Sequence, residues 1–275
     1  MPMPPARHSS PIASAQVKSS ILLAGLYAEG STSVIEPVLS RNHTELMLKA
    51  CGANISTSGT ISTISKTDRL DSIGITVPGD ISSAAFFIAA ALIVPNSEVL
   101  IKNVGINPTR DGIIDIVKSM GGKIEILNRH LEGFEETADL LVSSSSLKGI
   151  TIKGDIIPRI IDEIPIIAIM AACAEGETII KDAEDLKNKE SNRIDFVTKN
   201  LLNMGADITP TDDGMIIRGG KPLTGCLIDT CNDHRIAMSF AIAGLIADGI
   251  TKIPEDECIN ISYPGFKDNF NLLLH

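Results

Sequence analysis

The five residues Lys189-Glu190-Ser191-Asn192-Arg193 combine three charged side chains with a predicted helix start. Apolar residues then recur at helical spacing, namely Ile194, Val197, Leu201 and Met204. Gly205 is predicted to end this helix. Backbone N–H groups are free at a helix N-terminus, and residues four apart can face the same way, so Lys189 and Arg193 favour a site for phosphate or carboxylate. The alternative interpretation is a solvated helix start with a local ion pair.

Other predicted helix starts also carry polar groups suited to catalysis or anion binding. Asp162 opens a predicted helix that has Pro165 in its first turn, a position typical of an N-cap residue. Asp233-His234-Arg235 opens another helix and adds the guanidinium of Arg235, which can donate two parallel hydrogen bonds to a carboxylate or phosphate. The alternative interpretation of Arg235 is a surface ion pair. Ser14-Ala15-Gln16 begins a third helix, where the N-terminus adds N–H donors.

Composition limits the class of protein. The chain has 275 residues, which suffice for one large domain or two modest ones. Its net charge of −10 argues against nucleic acid as the main partner and against a basic membrane-binding face. No apolar stretch is long enough to span a bilayer, and Met1–Ser10 lacks the apolar segment of a signal peptide. Five cysteines without a Cys-x-x-Cys pair favour a reducing cytosol over disulfides or a zinc site.

A similar succession of helices recurs along the chain. One kind opens with Ser or Asp and is apolar on nearly all faces, so we expect it to be buried. It is predicted at Ser14–Gly25, Pro78–Ala91, Ile161–Ala172 and Asp233–Gly244. A second, amphipathic kind ends in glycine, which suits the left-handed end of a helix. The three ends of this kind are Gly52, Gly121 and Gly205.

Short apolar segments between these helices predict strands. They are Ser33–Ile35, Val99–Lys102, Lys123–Ile126, Thr178–Ile180 and Met215–Arg218. The order strand, buried helix, strand, amphipathic helix, strands predicts an α/β fold with a pseudo-repeat. Leu70–Ile81 is the predicted junction between a short first part and a longer second part. Glu132–Asp139 and Ser143–Ser146 are expected to be loops or edges.

The ordered set of motifs resembles the enolpyruvyl transferases, most closely the 5-enolpyruvylshikimate-3-phosphate synthase family. The matching segments are Ala13–Lys18, Arg41–Glu45, Val77–Asp80, Asn107–Arg110, Ile161–Glu163, Lys189–Arg193 and Asp233–Arg235. The resemblance runs from about Pro11 to the C-terminus. Arg41 and the Ile-Asp-Glu-x-Pro sequence resemble the branch often called class II.

This resemblance implies a fold of two similar domains, each built from three βαβαββ units, with the active site in the cleft between them. Residues 1–75 are then expected to be the C-terminal remnant of the first, shikimate-phosphate domain. Residues 76–275 are expected to be the second domain, of three such units. The implied reaction transfers the enolpyruvyl group of phosphoenolpyruvate to the 5-hydroxyl of shikimate 3-phosphate and releases phosphate. It belongs to the shikimate pathway of aromatic amino acid biosynthesis and needs no metal or organic cofactor.

The resemblance also implies roles for individual residues. Asp162 accepts the hydroxyl proton, Glu190 protonates the methylene carbon, and Lys189 binds the sugar phosphate while approaching the reacting carbon. The remaining expected substrate ligands fall into two groups. Arg193 and Arg235 are expected to bind phosphoenolpyruvate, and Ser14, Ala15, Gln16 and Arg41 to bind the sugar phosphate.

The sequence departs from the family pattern at three places. Family members carry a long N-terminal stretch with an Asp-Lys-Ser-type motif before Ser14, and this sequence shows no such motif. Ile261 stands where some members have Lys, and Asn192 where an acidic residue is usual. We therefore expect a chain that is inactive alone and pairs with a complementary N-terminal fragment. A non-catalytic fragment and a relative of UDP-N-acetylglucosamine enolpyruvyl transferase remain alternatives.

Overall fold

The structure, a computed structural model, describes residues 6–274. Met1–Pro5 and His275, which belong to the outer ends of the two predicted parts, lie outside the described residues. The chain divides into two compact units. The first contains the chain up to Pro78 together with Gly105–Asp111 and Arg129–Thr137, and the second contains the remaining segments. The division of the chain into domains at residues 75 and 76 stays a prediction.

The first six elements form one βαβαββ succession within the first unit. They are β1 (Arg7–Ser9), α1 (Ala15–Gly25), β2 (Ser31–Ile35), α2 (His43–Ala50), β3 (Ile55–Ser58) and β4 (Ile61–Ser65). The sheet order is β1-β2-β4-β3, with β1 parallel to β2 and the other neighbours antiparallel. The helices close a small apolar core that includes Leu22, Val34, Leu48 and Ile64.

The same succession continues along the chain. Next come α3 (Ile81–Ile93), β5 (Glu98–Gly105), α4 (Gly112–Ser119), β6 (Lys123–Glu132) and β7 (Glu135–Ser143). Their sheet order is β5-β7-β6, and a parallel bridge from Gly79 to Val104 stands where the first strand of the unit would lie.

A third succession follows. It consists of β8 (Thr151–Ile152), α5 (Ile157–Ile160), α6 (Ile164–Cys173), β9 (Glu177–Ile180), α7 (Arg193–Asn203), β10 (Asp207–Thr211) and β11 (Gly214–Arg218). Its sheet order β8-β9-β11-β10, with β8 parallel to β9, repeats that of the first sheet. The chain continues through α8 (His234–Ala243), α9 (Ile259–Ser262) and α10 (Phe266–Leu272). The predicted α/β fold of repeated βαβαββ units is confirmed.

The local signals for helix ends are also confirmed. Gly52, Gly121 and Gly205 follow the three amphipathic helices with φ of 86°, 80° and 87°, the left-handed conformation that glycine adopts at little cost. The side chains of Asp80 and Asp233 accept backbone N–H groups at the starts of α3 and α8. The prediction that Asp162 opens the helix at Ile161–Ala172 is wrong, because α6 begins at Ile164 with Glu163 as its N-cap residue.

The apolar helices of the second unit are buried as predicted. Helices α3, α6 and α8 pack against one another, and nearly every residue of α6 is buried. Helix α1 differs, since its buried residues are only Lys18, Leu22 and Gly25. Val17 and Leu23 keep 43% and 47% of their surface exposed, so the expectation that α1 is buried all round is wrong.

The expected loop at Glu132–Asp139 is largely a strand. β7 begins at Glu135 and occupies the centre of its three-stranded sheet. Ala138, Leu140 and Val142 are fully buried, and this alternation is what a half-buried strand requires. The polar residues Glu135, Glu136 and Thr137 at the start of the strand hide it in the sequence. None of the helices within residues 6–274 is long and apolar enough to cross a membrane.

Candidate active site

The charged segment around residue 190 leads into α7 as predicted. Asn192 is the N-cap, and its side chain accepts the backbone N–H of Asp195 at 3.4 Å. Ile194, Val197 and Leu201 face the core. Arg193 is thereby the first helical residue, and its side chain is only 1% exposed. The interpretation of this segment as a solvated helix start is therefore wrong for Arg193.

Three carboxylates from separate segments converge on the Arg193 guanidinium. Its Nε donates to Asp233 Oδ2 at 2.8 Å, and Nη2 donates to Glu190 Oε2 and to Asp233 Oδ1. Its Nη1 lies 3.5 Å from Asp162 Oδ1. A guanidinium can be buried at tolerable cost only when its charge is paired in this way.

Asp233 is the central acceptor of this cluster. It is fully buried and also accepts Ser191 Oγ and the backbone N–H of Arg235, both at 2.9 Å. Burial by itself raises the pKa of this carboxyl, but the hydrogen bond and charge of Arg193 outweigh burial and lower the pKa below its ordinary value. Sequence reasoning gave Asp233 no role beyond opening its helix. This role could have been inferred from the sequence, because Asp233 opens its helix two positions before Arg235, a candidate ligand of the substrate.

Arg235 and Arg193 lie on either side of the Asp162 carboxylate. Arg235 Nη1 donates to the backbone carbonyl of Asp162 at 3.2 Å, and Nη2 lies 3.7 Å from Asp162 Oδ2. Arg235 Nη1 is also 3.9 Å from Glu163 Oε1. The side chains of Arg235 and Asp162 are 12% and 19% exposed, so this is not a surface ion pair. Such a carboxylate can accept a proton, while the guanidinium groups beside it can bind an anion.

Lys189 and Glu190 lie before the helix and are less buried. Lys189 Nζ contacts Asp185 Oδ2 at 2.6 Å, and its side chain is 24% exposed. Since Lys189 precedes the N-cap, it does not share a helix face with Arg193, and the two cations have different carboxylate partners. The Glu190 carboxylate is 53% exposed and could exchange a proton with a bound ligand. Because the cations already pair with protein carboxylates, an anionic ligand must displace or share at least one pair.

His234 lies between Asp233 and Arg235 at the start of α8. Burial and the charge of Arg235 lower its pKa below the ordinary value, although Asp233 and Glu190 act in the opposite direction. The imidazole is therefore predominantly neutral at pH 7 and adds no positive charge to the cluster.

Of the residues expected to bind the sugar phosphate, Ser14, Ala15, Gln16 and Arg41 belong to the first unit, whereas Lys189 belongs to the second. Ser14 is the N-cap of α1, and its hydroxyl accepts the backbone N–H of Val17 at 3.4 Å. Ala15 begins the helix, and Gln16 is exposed beside it. Arg41 is partly buried and comes immediately before the N-cap of α2.

A buried lysine that sequence reasoning did not single out supports this region. Lys18 is 1% exposed, and its Nζ lies 2.9 Å from Glu36 and 2.8 Å from Glu45. It also donates to the carbonyl of Ser40, the residue before Arg41, at 3.3 Å. The signal was a lysine on the inner face of an otherwise apolar helix, which implies a buried carboxylate partner.

Within residues 6–274 no group of three or more His, Cys, Asp or Glu residues is placed to hold a metal ion. All five cysteines are free thiols. Burial raises the pKa of Cys173 to about 12, which makes its thiol a poor nucleophile at neutral pH.

Known proteins match this chain over nearly its whole length. The family described as EPSP synthase (3-phosphoshikimate 1-carboxyvinyltransferase) matches residues 4–270. The chain therefore belongs to the EPSP synthase family.

Individual relatives agree with this assignment. The 3-phosphoshikimate 1-carboxyvinyltransferase of Brevibacillus brevis is 59% identical over 261 residues, covering 95% of this chain and 61% of that protein. The protein of the same name from Thermoanaerobacter sp. is 56% identical, covering 97% of this chain and 63% of that protein. The structure of EPSP synthase from Acinetobacter baumannii is 45% identical, with a TM-score of 0.92 over 99% of this chain and 63% of that one. The chain thus spans about three fifths of the length of the relatives it matches.

Proposed function

We propose that this chain takes part in the transfer of the enolpyruvyl group from phosphoenolpyruvate to the 5-hydroxyl of shikimate 3-phosphate, with release of phosphate. The observation that carries the proposal is the Asp162 carboxylate, which lies 3.5 Å from one nitrogen of Arg193 and 3.7 Å from one nitrogen of Arg235. The hydroxyl of the sugar phosphate requires a base. The phosphate and the carboxylate of phosphoenolpyruvate require cations, for which two guanidinium groups are suited. Membership of the EPSP synthase family supports this reading.

In the proposed reaction, Asp162 accepts the hydroxyl proton as the oxygen forms a bond to C2 of phosphoenolpyruvate. Glu190 gives a proton to the methylene carbon, and Lys189 stands beside the reacting carbon. The Glu190 carboxylate then takes back a proton from the methyl group of the adduct as phosphate leaves, which restores the carbon–carbon double bond. The partial exposure of Glu190 supports its role, because a proton donor must reach the substrate.

Substrate binding is assigned to two sets of residues. Arg193 and Arg235 bind phosphoenolpyruvate, with Arg193 acting through Nη1, the nitrogen of its guanidinium that is buried without a hydrogen bond. Arg235 binds it through its guanidinium, on a side chain that is 12% exposed. The sugar phosphate is assigned to a second set of residues. This set consists of Ser14, Ala15, Gln16, Arg41 and Lys189.

We further propose that the active assembly includes a complementary segment of the kind that makes up the remaining length of the relatives. The outer face of α1 supports this. Helices α3, α6 and α8 bury their apolar side chains against one another, whereas α1 exposes Val17 and Leu23, and Tyr27 just beyond its end is 74% exposed. An apolar face of this kind on a repeat unit is normally covered by neighbouring units. Free cysteines support a reducing cytosol as the compartment.

The test measures phosphate release from shikimate 3-phosphate and phosphoenolpyruvate, with the chain alone and mixed with a separately expressed N-terminal piece of a family relative. We expect turnover only in the mixture. The Asp-Lys-Ser-type motif of the relatives supplies a cation that this sequence does not show, so a substrate anion would be left unpaired in the chain alone. Each such buried charge costs several kcal/mol, and each 1.36 kcal/mol in the barrier is about tenfold in rate. Activity of the chain alone would refute the need for a partner, and a mixture that binds both substrates without turnover would favour the non-catalytic fragment.

In the same assay, Glu190→Gln tests whether Glu190 is the proton donor. We expect it to reduce turnover by roughly 10²–10⁴-fold, because the amide cannot give up a proton, while affinity for shikimate 3-phosphate is kept. A variant that retains half of the activity would remove Glu190 from the chemistry. Calorimetry with UDP-N-acetylglucosamine in place of shikimate 3-phosphate distinguishes the related transferase, for which only the nucleotide sugar would give a binding signal.

A further inference from the structure

The sequence motif Asn107-Pro108-Thr109-Arg110 belongs to the first unit but has no part in the proposed chemistry. Asn107 and Thr109 are polar residues, yet they are only 3% and 9% exposed. Buried polar groups of this kind require hydrogen-bond partners, so their partners indicate what the motif does.

The motif folds into a tight turn that uses both ends of the Asn107 side chain. Asn107 Oδ1 accepts the backbone N–H of Thr109 at 2.9 Å and the Thr109 hydroxyl at 2.7 Å. Pro108 lies between them and restricts the backbone of the turn. The Asn107 amide nitrogen remains available to a residue outside the motif.

That residue is Asn42, the N-cap of α2. Asn107 Nδ2 donates to Asn42 Oδ1 at 2.8 Å, and the Thr109 hydroxyl lies 3.2 Å from the same oxygen. The backbone N–H of Asn42 donates to Thr109 Oγ1 at 3.2 Å. An asparagine in this position usually caps its own helix, but Asn42 makes no side-chain capping hydrogen bond. Its side chain is committed to the motif instead.

The residue on the other side of Arg41 is also held by buried groups. The carbonyl of Ser40 accepts Lys18 Nζ at 3.3 Å, and its N–H donates to Glu36 Oε2 at 3.4 Å. Lys18 and Glu36 are both 1% exposed in their side chains. The backbone of Arg41 is therefore fixed from Ser40 on one side and from Asn42 on the other.

We propose that Asn107 and Thr109 are positioning residues that fix the backbone of Arg41 so that its guanidinium meets the phosphate of the sugar phosphate. This inference rests on the proposed function, in which Arg41 binds that phosphate. A prefixed backbone reduces the conformational freedom that an arginine loses when it binds a phosphate.

The test is calorimetric titration of shikimate 3-phosphate and of shikimate into the chain mixed with the complementary N-terminal piece. Thr109→Val keeps the shape of the side chain but removes the hydroxyl that joins Asn42 to Asn107. We expect affinity for shikimate 3-phosphate to fall about tenfold, as for the loss of a hydrogen bond or two, and affinity for shikimate to stay unchanged. Thr109→Ser restores the hydroxyl and should restore affinity.

The control Thr57→Val makes the same chemical change on β3, where the hydroxyl forms a hydrogen bond with Ser62 at 3.3 Å. It should leave both affinities unchanged. In an Arg41→Ala background Thr109→Val should have no further effect, because the two residues then act through one contact. If Thr109→Val does not fold, Asn42→Ser serves in its place, since it shortens the acceptor but keeps a good helix-capping residue.

Equal losses for shikimate and shikimate 3-phosphate would overturn the inference, because they would show a general structural role. An unchanged affinity in Thr109→Val, or a full effect in the Arg41→Ala background, would overturn it as well. Failure of the unsubstituted mixture to bind shikimate 3-phosphate would overturn the proposed function and this inference together.

Discussion

Asp233→Asn is the substitution that examines the buried charge cluster most directly. Both carboxylate oxygens of Asp233 act as acceptors. Oδ2 accepts Arg193 Nε and Ser191 Oγ, while Oδ1 accepts the backbone N–H of Arg235 and Arg193 Nη2. An asparagine has the same size but must place its NH2 group against donors in either orientation.

The expected loss of stability follows from these contacts. Leaving a buried charge without its partner costs about 3–5 kcal/mol, while the N-cap is kept because asparagine caps helices about as well as aspartate. Arg193 keeps contacts with Glu190 and Asp162, and the amide oxygen of the substituted side chain still accepts hydrogen bonds, so the loss lies around and below the lower end of this range. We expect Asp233→Asn to reduce the free energy of unfolding of the second unit by about 2–4 kcal/mol.

Urea unfolding followed by tyrosine fluorescence measures this difference. The protein has no Trp and two Tyr. Tyr263 packs against Phe87 and Phe266 in the second unit, so a Tyr27→Phe background leaves one reporter there. With a slope of about 2 kcal/mol per molar urea, the midpoint should fall by about 1–2 M.

Asp229→Asn is the matched control. Asp229 is four residues earlier and pairs with Lys199 at 2.6 Å, but its side chain is 45% exposed. We expect a loss below about 1 kcal/mol, as for other surface pairs. If Asp233→Asn behaves like this control, the buried cluster does not stabilise the unit as argued.

The pH dependence of this difference in the free energy of unfolding is a second test of the same contacts. The folded-state pKa of Asp233 is lowered, with burial opposed and outweighed by the Arg193 hydrogen bond and charge. Its contribution to stability is therefore complete above the ordinary pKa of 3.8 and is lost as pH falls through the lower folded-state value. The difference between the unsubstituted protein and Asp233→Asn should be full at pH 6–7 and shrink at the acid end. A difference that grows on acidification would contradict this assignment.

Two further predictions concern ligand binding and thiol reactivity. Arg235→Ala, in the mixture with the complementary piece, should raise the KM for phosphoenolpyruvate far more than that for shikimate 3-phosphate, with a loss in kcat/KM of about 2–4 kcal/mol; equal effects on both would indicate a structural role. Because burial raises the pKa of Cys173 to about 12, a thiol reagent at pH 8 should modify the exposed Cys231 and spare Cys173, as measured by peptide mass spectrometry. Rapid modification of Cys173 in the folded protein would contradict the raised pKa of its thiol.

Features that depend on neighbours within a few residues were predictable. The start of α7, the left-handed glycines that follow the amphipathic helices, and the burial of α3, α6 and α8 follow from spacing and residue type. Such patterns encode backbone geometry and the apolar face of an element directly. The repetition of these local patterns was sufficient to predict the βαβαββ succession.

Where each element lies in its sheet or unit was not predictable in the same way. β7 looks like a polar loop in sequence because it begins with Glu135, Glu136 and Thr137, whereas the alternating buried side chains Ala138, Leu140 and Val142 come later. Helix α1 was predicted from its composition to be buried like α6, yet one of its faces is exposed. Burial depends on which elements pack nearby, and neighbouring residues in sequence do not record that.

The candidate site shows the same division between local pattern and tertiary contact. Spacing identified Arg193 and Arg235 as cations at two helix starts, and the type of side chain indicated that they bind anions. The ion pair of Arg193 with Glu190 is local in sequence, but the buried partner followed only from the fold, since Arg193 meets Asp233, a carboxylate 40 residues away. Pairing of buried charges is decided by distances of a few ångströms between segments remote in sequence, because the energy of a buried charge depends on its partners and its loss of water.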